Sequence, residues 1–160
     1  MCDKKKLNGI KNIVFVCTGN TCRSPMAEAL MKKLLKDNNI DTINVISRGL
    51  SAFENSPASE NSIKAIKKYN IDLTSHRAKS LSPDELKYYD LILTMSSNHK
   101  NIIISAFPDV KDKIFTVYEF SFNKNADISD PFGGNIEIYE KCLDEIYKCI
   151  EEIVKKQIII

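Results

Sequence analysis

The chain has 160 residues, which is enough for one domain with a buried core and short for two. Apolar residues make up 43% and charged residues 28%, as in an ordinary globular protein, and the net charge of +2 is too small to favour nucleic acid as a partner. No apolar run approaches the roughly 20 residues that a membrane-spanning helix needs, so a membrane partner is not expected.

Segments with the pattern of strands alternate with segments with the pattern of helices. Short continuous apolar runs favour strands buried on both faces, and apolar residues three and four apart favour helices. The predicted strands lie at 12–17, 43–47, 90–95 and 113–120, and the predicted helices at 26–39, 57–69, from 82, 97–104 and through 138–153. Ser82, Pro83 and Glu85 have the pattern of a capping box, and Ser97 is the predicted cap of the fourth helix. This alternation predicts an α/β protein with a parallel sheet and helices on both faces.

The loop between the first strand and the first helix, CTGNTCRS, lies where parallel sheets bind ligands. Gly19 and Asn20 tolerate positive φ, so the backbone can curl and point several N–H groups inward. The helix that begins near Ser24 adds free N–H groups, and Arg23 adds a fork of donors suited to a phosphoryl group. The residues predicted to bind phosphate are Thr18, Gly19, Asn20, Thr21, Cys22, Arg23 and Ser24.

Cys17 lies at the mouth of this predicted anion site. The loop amides, the helix N-terminus and Arg23 all favour its thiolate form, and a thiolate beside bound phosphorus is a nucleophile. The alternative interpretation is a purely structural loop in which a buried cysteine has no chemical role. A zinc site is not expected, because Cys17 and Cys22 lack the usual ligand spacing. No metal or organic cofactor is predicted, since Arg23 and the amides supply the charge.

The cysteines of the chain do not form the pattern of a disulfide framework. There are five, an odd number, and no apolar signal segment precedes them. The sequence therefore predicts a cytoplasmic protein with reduced thiols. Cys142 and Cys149 fall on the apolar stripe of the last helix, together with Ile138, Ile146 and Ile153, where cysteine acts as a small hydrophobic residue.

The segment VCTGNTCRSPMAEAL resembles the low-molecular-weight protein phosphatases, whose loop has the pattern C-x5-R-S. The segments VISRGL, IDLTSHRAKSL, DLILTMSSNHK and SDPFGGN follow in that family's order, so the resemblance extends from about residue 11 to about residue 154. It implies a short N-terminal extension, residues 1–10, and a single phosphatase domain, residues 11–157. We predict a three-layer fold, in which a four-stranded, twisted parallel sheet of flavodoxin-like order 2-1-3-4 has helices on both faces.

The resemblance also implies roles for matching residues. Cys17 would be the nucleophile that forms a phosphocysteine, and Arg23 would bind the phosphoryl oxygens. Ser24 would donate its hydroxyl to the thiolate. Asp130, in the loop DISDPFGGN, would first be the general acid and then the general base, since a two-step displacement needs both.

A supporting network beneath the loop is implied for Asn20, Ser24, Ser47 and His76. His99, on a predicted helix, receives no role. Arg48 departs from the commoner family pattern, in which a small residue follows the serine, and its position is left open.

The substrate is predicted from the rim of the site. Tyrosine-directed members usually have a bulky aliphatic residue where Thr21 stands, and often two tyrosines where Phe132 and Gly133 stand. Threonine and DPFGG are similar to the protein-arginine phosphatases, so we predict hydrolysis of phosphoarginine in proteins, with a low-molecular-weight protein-tyrosine phosphatase as the alternative. The expected partners are phosphorylated proteins, and nothing in the sequence demands more than a monomer.

More distant alternatives stay open at this point. A thiol-coupled arsenate reductase uses a similar loop but needs a cysteine pair in the middle of the chain. A phosphocysteine carrier would need neither Arg23 nor Asp130, and a non-catalytic phosphoresidue-binding module would have no reason to keep Cys17 and Asp130 together. A further hypothesis is that Cys22 closes a reversible disulfide with Cys17 after mild oxidation, with space filling under the loop as its alternative.

Overall fold

A computed structural model of the chain describes residues 9–158. Within these residues, four strands form one sheet: β1 Asn12–Cys17, β2 Asn44–Gly49, β3 Leu91–Thr94 and β4 Ile114–Thr116. All neighbouring strands are parallel, and the order is β2-β1-β3-β4. The predicted single-domain α/β fold and the strand order 2-1-3-4 are confirmed.

The helices cover both faces of this sheet. They are α1 Arg23–Asp37, α2 Glu60–Ile66, α3 Ser97–Ala106, α4 Val117–Phe122 and α5 Ile136–Ile158, with short 3-10 turns at Lys67–Tyr69, Pro83–Tyr88 and Pro108–Val110. None of the helices in residues 9–158 has the length and apolar character needed to cross a bilayer.

The core is built on the central strand β1, because its side chains alternate between the two faces. Ile13 and Phe15 point into the larger cluster, beneath α1 and α5. Val14 and Val16 point into the smaller cluster with Ile103 of α3. All four β1 side chains are fully buried, which explains why the strand is a continuous apolar run.

The last helix buries the predicted stripe, with one exception. Cys142, Ile146, Cys149 and Ile153 are buried in the larger core cluster, whereas Ile138, in the first turn, is half exposed. Burial raises the pKa of Cys142 to about 12 and that of Cys149 to about 11. These two thiols therefore stay protonated near neutral pH and pack as small hydrophobic groups.

The fourth strand is shorter than the prediction, which was wrong for residues 117–120. Thr116 ends β4 and caps α4: its Oγ1 accepts a hydrogen bond from the Glu119 N–H at 3.1 Å. The Glu119 carboxylate accepts one in return from the Thr116 N–H at 2.8 Å. This capping box starts a helix although the residues alternate like a strand.

Other boundaries differ by a few residues. Helix α1 begins at Arg23, directly after the loop. Ser96, and not Ser97, caps α3, since its hydroxyl accepts from the His99 N–H at 3.2 Å. The capping box at Ser82 and Glu85 is present, but it begins a 3-10 helix.

Residues 1–8 and 159–160 lie outside the described residues. The first of these two ranges belongs to the predicted N-terminal extension. The boundaries of the domain at residues 11 and 157 stay a prediction.

Candidate active site

The loop Cys17–Arg23 joins β1 to α1 at the carboxyl end of the sheet. Its curvature comes from Asn20, which has φ of 57°, whereas Gly19, which also tolerates positive φ, does not adopt it. Two hydrogen bonds hold the loop to the chain after β2, from Leu50 N–H to the Cys17 carbonyl and from Ser51 N–H to the Thr18 carbonyl, both at 2.9 Å. The loop is therefore fixed along the end of β2.

Gly49, the last residue of β2, packs directly against the loop. A Cβ there would lie 2.6 Å from the Thr18 carbonyl oxygen and 3.0 Å from the Asn20 nitrogen. Both neighbours are backbone atoms, which cannot rotate away. Only glycine leaves room for the loop to approach this closely.

The thiol of Cys17 is buried and contacts a hydroxyl. Its Sγ lies 2.9 Å from Ser24 Oγ. Ser24 Oγ accepts a hydrogen bond from the Asn20 side-chain amide at 2.8 Å, so its own proton is available for Cys17. The other acceptor in reach, the Arg48 carbonyl, is farther away at 3.5 Å. The geometry thus suits donation from Ser24 to a Cys17 thiolate.

Asn20 is the centre of the network beneath the loop, and it is fully buried. Its Nδ2 donates to Ser24 and also to Ser47 Oγ, at 2.9 Å, and its Oδ1 accepts from the Lys79 N–H at 3.0 Å. His76 Nε2 lies 2.7 Å from the Asn20 carbonyl; because a carbonyl can only accept, this ring nitrogen carries the proton. The structure brings the four predicted network residues together.

The network continues to a residue that sequence reasoning missed. Ser47 Oγ donates to Glu28 Oε1 at 2.7 Å, and the other oxygen of Glu28 pairs with Lys32 at 2.8 Å. Glu28 follows Ser24 by four residues on α1, so both lie on the same face of the helix. That spacing was the available signal.

Arg23 is buried beside the predicted acid. Its Nη1 donates to the Ile128 carbonyl at 2.9 Å, and its Nη2 lies 3.6 Å from Asp130 Oδ2. The side chain of Asp130 is 56% exposed and accepts from the Phe132 N–H at 3.1 Å, which fixes one carboxylate oxygen. The loop that carries Asp130 is attached to the end of β3, where Ile128 N–H donates to the Met95 carbonyl at 2.8 Å.

The predicted rim residues differ in exposure. Phe132 is 78% exposed, and Gly133 after it has φ of 80°, which favours glycine. Thr21 is partly buried, with its Oγ1 3.7 Å from the thiol of Cys22. Phe53, in the loop after β2, is a second strongly exposed aromatic ring that sequence reasoning did not single out.

His99 contacts the loop, contrary to the sequence interpretation that gave it no role. Its Nε2 lies 2.9 Å from Thr18 Oγ1 and its Nδ1 lies 2.9 Å from Ser96 Oγ. Burial, assisted by the charge of Arg23, lowers the pKa of His99 from 6.5 to about 4. The available signal was its place in the first turn of the helix that follows β3, at the ligand-binding edge of the sheet.

Arg48 is accounted for by structural contacts. Its Nε pairs with Glu85 at 3.2 Å, and its Nη1 donates to the Ser47 carbonyl at 2.8 Å. Arg48 thereby joins β2 to the 3-10 helix Pro83–Tyr88.

Cys22 is a buried thiol behind the loop. It lies 3.3 Å from the Tyr139 hydroxyl and 3.5 Å from Ser59 Oγ. Burial raises the pKa of Tyr139 to about 12, so this hydroxyl keeps its proton. The four cysteines within residues 9–158 are free thiols, and the disulfide between Cys17 and Cys22 stays a prediction.

Within residues 9–158, no group of three or more His, Cys, Asp or Glu side chains is arranged to hold a metal ion. The charges that converge on the loop come from Arg23 and the helix N-terminus.

The fold and this loop define a known class of protein. Residues 12–158 match the family described as low molecular weight phosphotyrosine protein phosphatase, and the chain belongs to that family. By family, it is a phosphatase and hence a hydrolase.

Among its relatives, the chain is 39% identical over 145 residues to the protein-arginine-phosphatase of Bacillus subtilis, covering 91% of this chain and 95% of the relative. It is 40% identical over 141 residues to the low molecular weight protein-tyrosine-phosphatase PtpB of Staphylococcus epidermidis, covering 88% and 95%. A solved structure of the YwlE arginine phosphatase, a cysteine-to-serine mutant with a phosphorylated active-site serine, matches with a TM-score of 0.86 and 39% identity. That match covers 90% of this chain and 93% of the other.

Proposed function

We propose that the protein is a protein-arginine phosphatase that uses Cys17 as its nucleophile. The observation that carries the proposal is the convergence of three groups at one edge of the sheet. Cys17 contacts the Ser24 hydroxyl at 2.9 Å, and the guanidinium of Arg23 lies 3.6 Å from the carboxylate of Asp130. The relative with a phosphorylated active-site serine supports a covalent intermediate at the nucleophile position.

In the first step, the Cys17 thiolate attacks phosphorus and forms a phosphorus–sulfur bond. The phosphorus–nitrogen bond breaks, and its electron pair goes to the guanidino nitrogen, which takes the proton of Asp130. Arg23 and the loop amides bind the three phosphoryl oxygens, whose charge they stabilise in the transition state. Ser24 donates a hydrogen bond to the thiolate, 2.9 Å away.

In the second step, Asp130 is a carboxylate and accepts a proton from water. The water oxygen attacks phosphorus, the phosphorus–sulfur bond breaks, and its electron pair returns to Cys17. The products are inorganic phosphate and the free enzyme. Asp130 can exchange its proton with water between the two steps because its side chain is half exposed.

Two features of the rim support phosphoarginine as the substrate. Thr21 offers a hydroxyl to the guanidinium or to the attacking water, whereas an aliphatic residue would offer only apolar contact. The rim after Asp130 has one aromatic ring, Phe132, followed by two glycines, so it clamps a phenyl ring poorly. A relative that is a protein-arginine-phosphatase has 39% identity over 91% of this chain.

The second candidate is a protein-tyrosine phosphatase. It is favoured by relatives of similar identity that carry this name. The phosphate loop would be the same in both enzymes, and only the rim would decide which phosphorylated residue is hydrolysed. An arsenate reductase is less consistent with the structure, because Cys142 and Cys149 are buried on α5 and not exposed beside the loop.

The test compares kcat/KM on a phosphoarginine peptide and a phosphotyrosine peptide, in EDTA. We expect the wild type to prefer phosphoarginine and Thr21→Ile to shift the preference toward phosphotyrosine. Thr42→Ile makes the same change at an exposed position before β2, at the other end of the sheet, and should leave both rates unchanged. Preference of the wild type for phosphotyrosine would overturn the substrate assignment but not the mechanism.

The mechanism has its own test. Cys17→Ser should lose turnover on both peptides while it keeps the fold. Full activity of this variant would exclude Cys17 as the nucleophile.

The remaining parts of the proposal concern the setting of the enzyme. Its partners are phosphorylated proteins, and it acts in the cytoplasm as a monomer. It needs no nucleic acid, metal or organic cofactor. Size-exclusion chromatography with light scattering would test the monomer.

A further inference from the structure

We propose that His99 is a positioning residue that sets the placement of the nucleophile loop relative to the loop of the acid. The proposal rests on the proposed phosphatase function, which it deepens. It is carried by one short segment, residues 95–99, that holds hydrogen bonds to both loops.

The loop that carries Asp130, the acid loop, is held by the N-terminal part of this segment. The Met95 carbonyl accepts from Ile128 N–H at 2.8 Å, and the Ser97 N–H donates to Asp127 Oδ1 at 2.8 Å. Asp127 and Ile128 come directly before the segment Ser129–Asp130 that carries the acid. These bonds use backbone groups at the end of β3 and the N-terminus of α3, which are rigid points of the fold.

The nucleophile loop is held by the end of the same segment. His99 Nε2 lies 2.9 Å from Oγ1 of Thr18, the residue directly after the nucleophile. Thr18 is exposed as a residue, whereas His99 is only 4% exposed. A buried, fixed ring therefore anchors an otherwise solvent-facing side chain of the loop.

The hydrogen bonds of His99 suit a tautomer in which Nε2 carries the proton. Ser96 Oγ already accepts from the His99 N–H at 3.2 Å, so its O–H is available to donate to Nδ1. Nδ1 is then the acceptor, and Nε2–H donates to Thr18 Oγ1. Burial and the charge of Arg23 lower the pKa of His99 to about 4, against the opposite effect of Asp127 and Asp130, so the ring stays neutral near pH 7.

Neutrality matters because of what faces the ring. Arg23 is the cation that binds the phosphoryl group, and Asp130 must carry a proton in the first step. An imidazolium at His99 would add a second positive charge beside Arg23, close to the group that must donate a proton. A neutral N–H donor anchors the loop without this effect.

The proposal is tested by leaving-group dependence, measured as kcat/KM for phenyl phosphate and for 2,4-dinitrophenyl phosphate. Phenolate is a poor leaving group that needs the acid, and dinitrophenolate leaves without it. We expect His99→Leu and Thr18→Val each to lose about tenfold on phenyl phosphate, because a displaced acid loses part of its advantage, and less than about threefold on the dinitrophenyl ester. Thr18→Val removes only the hydroxyl and keeps the backbone N–H of the loop.

Three further variants sharpen the result. The double variant should lose no more than either single one, since both remove the same contact. His99→Gln keeps an N–H donor and should recover most of the phenyl phosphate rate. Asn98→Ala changes an exposed neighbour on the same helix and should match the wild type.

The outcomes separate the two proposals. If the wild type hydrolyses neither ester, the phosphatase function itself fails. If the wild type is active, equal losses on both esters, additive single variants or an unchanged His99→Leu overturn the positioning role and leave the function standing. Should His99→Leu fail to fold, Thr18→Val and His99→Gln probe the same contact and decide the question alone.

Discussion

Replacing Gly49 by alanine should damage both the stability and the activity of the enzyme, although residue 49 bears no reacting group. The new Cβ would lie 2.6 Å from the Thr18 carbonyl oxygen. Ordinary contact begins near 3.4 Å, so the phosphate loop and the end of β2 must separate by about 0.8 Å. The loop cannot yield freely, because Leu50 and Ser51 donate hydrogen bonds to it from the chain just after Gly49.

The size of the effect follows from this displacement. Overpacking of this kind costs about 1–3 kcal/mol, which lowers the Tm of a domain of this size by roughly 3–10 °C. A nucleophile displaced by a substantial fraction of an ångström loses about 10- to 100-fold in kcat/KM.

The assay is kcat/KM on p-nitrophenyl phosphate at 25 °C, well below the Tm of the variant, with a thermal melt of the same sample. Ser51→Ala is the control. Ser51 lies two residues after Gly49, and the substitution changes an exposed side chain while it keeps the backbone hydrogen bond to Thr18. An alanine variant with wild-type Tm and kcat/KM would show that the loop has room to move, and the argument from Gly49 would be wrong.

Two other predictions concern the buried polar groups of the site. Asn20→Ala should lower the free energy of unfolding by about 3 kcal/mol and kcat/KM by at least tenfold, because the buried hydroxyls of Ser24 and Ser47 lose their hydrogen-bond donor. Urea titration and steady-state rates measure the two effects. A fully active variant would contradict the prediction. The pKa of His99 is about 4 in the fold against an ordinary 6.5, so the unfolded chain binds the extra proton in this window and stability falls as the pH drops from 6.5 toward 4. The loss should be about 2 kcal/mol after allowance for solvent near the site. Urea titrations at pH 7, 5.5 and 4.5 should show a shallower pH dependence for His99→Gln, and parallel curves would exclude His99 as the source.

The fold could be predicted from the sequence because local pattern and tertiary structure agree at the centre of the sheet. Strand β1 is buried on both faces, which is why it is a continuous apolar run, and its glycine-containing turn leads straight into α1. The agreement fails at Val117–Phe122, where apolar alternation favours a strand. There the capping box of Thr116 and Glu119 starts a helix instead.

The candidate site could be predicted where its residues are close in sequence, as in the loop from Cys17 to Ser24. It could not be completed where the contact depends on distant chain. His99 meets Thr18 across 81 residues, and nothing near His99 in the sequence indicates that partner. Gly49 has the same difficulty, since its need to be glycine comes from a loop about thirty residues earlier that packs on it only in the folded sheet.

The contact between the phosphate loop and the acid loop has a consequence for folding. Arg23 and the Ile128 carbonyl that it contacts are 105 residues apart in sequence, so the nucleophile and the acid meet only after most of the chain has been synthesised and ordered. A growing chain that ends before residue 128 would carry the phosphate loop without the acid. The recovery of activity after dilution from denaturant therefore requires a contact between residues that are 105 positions apart in the sequence.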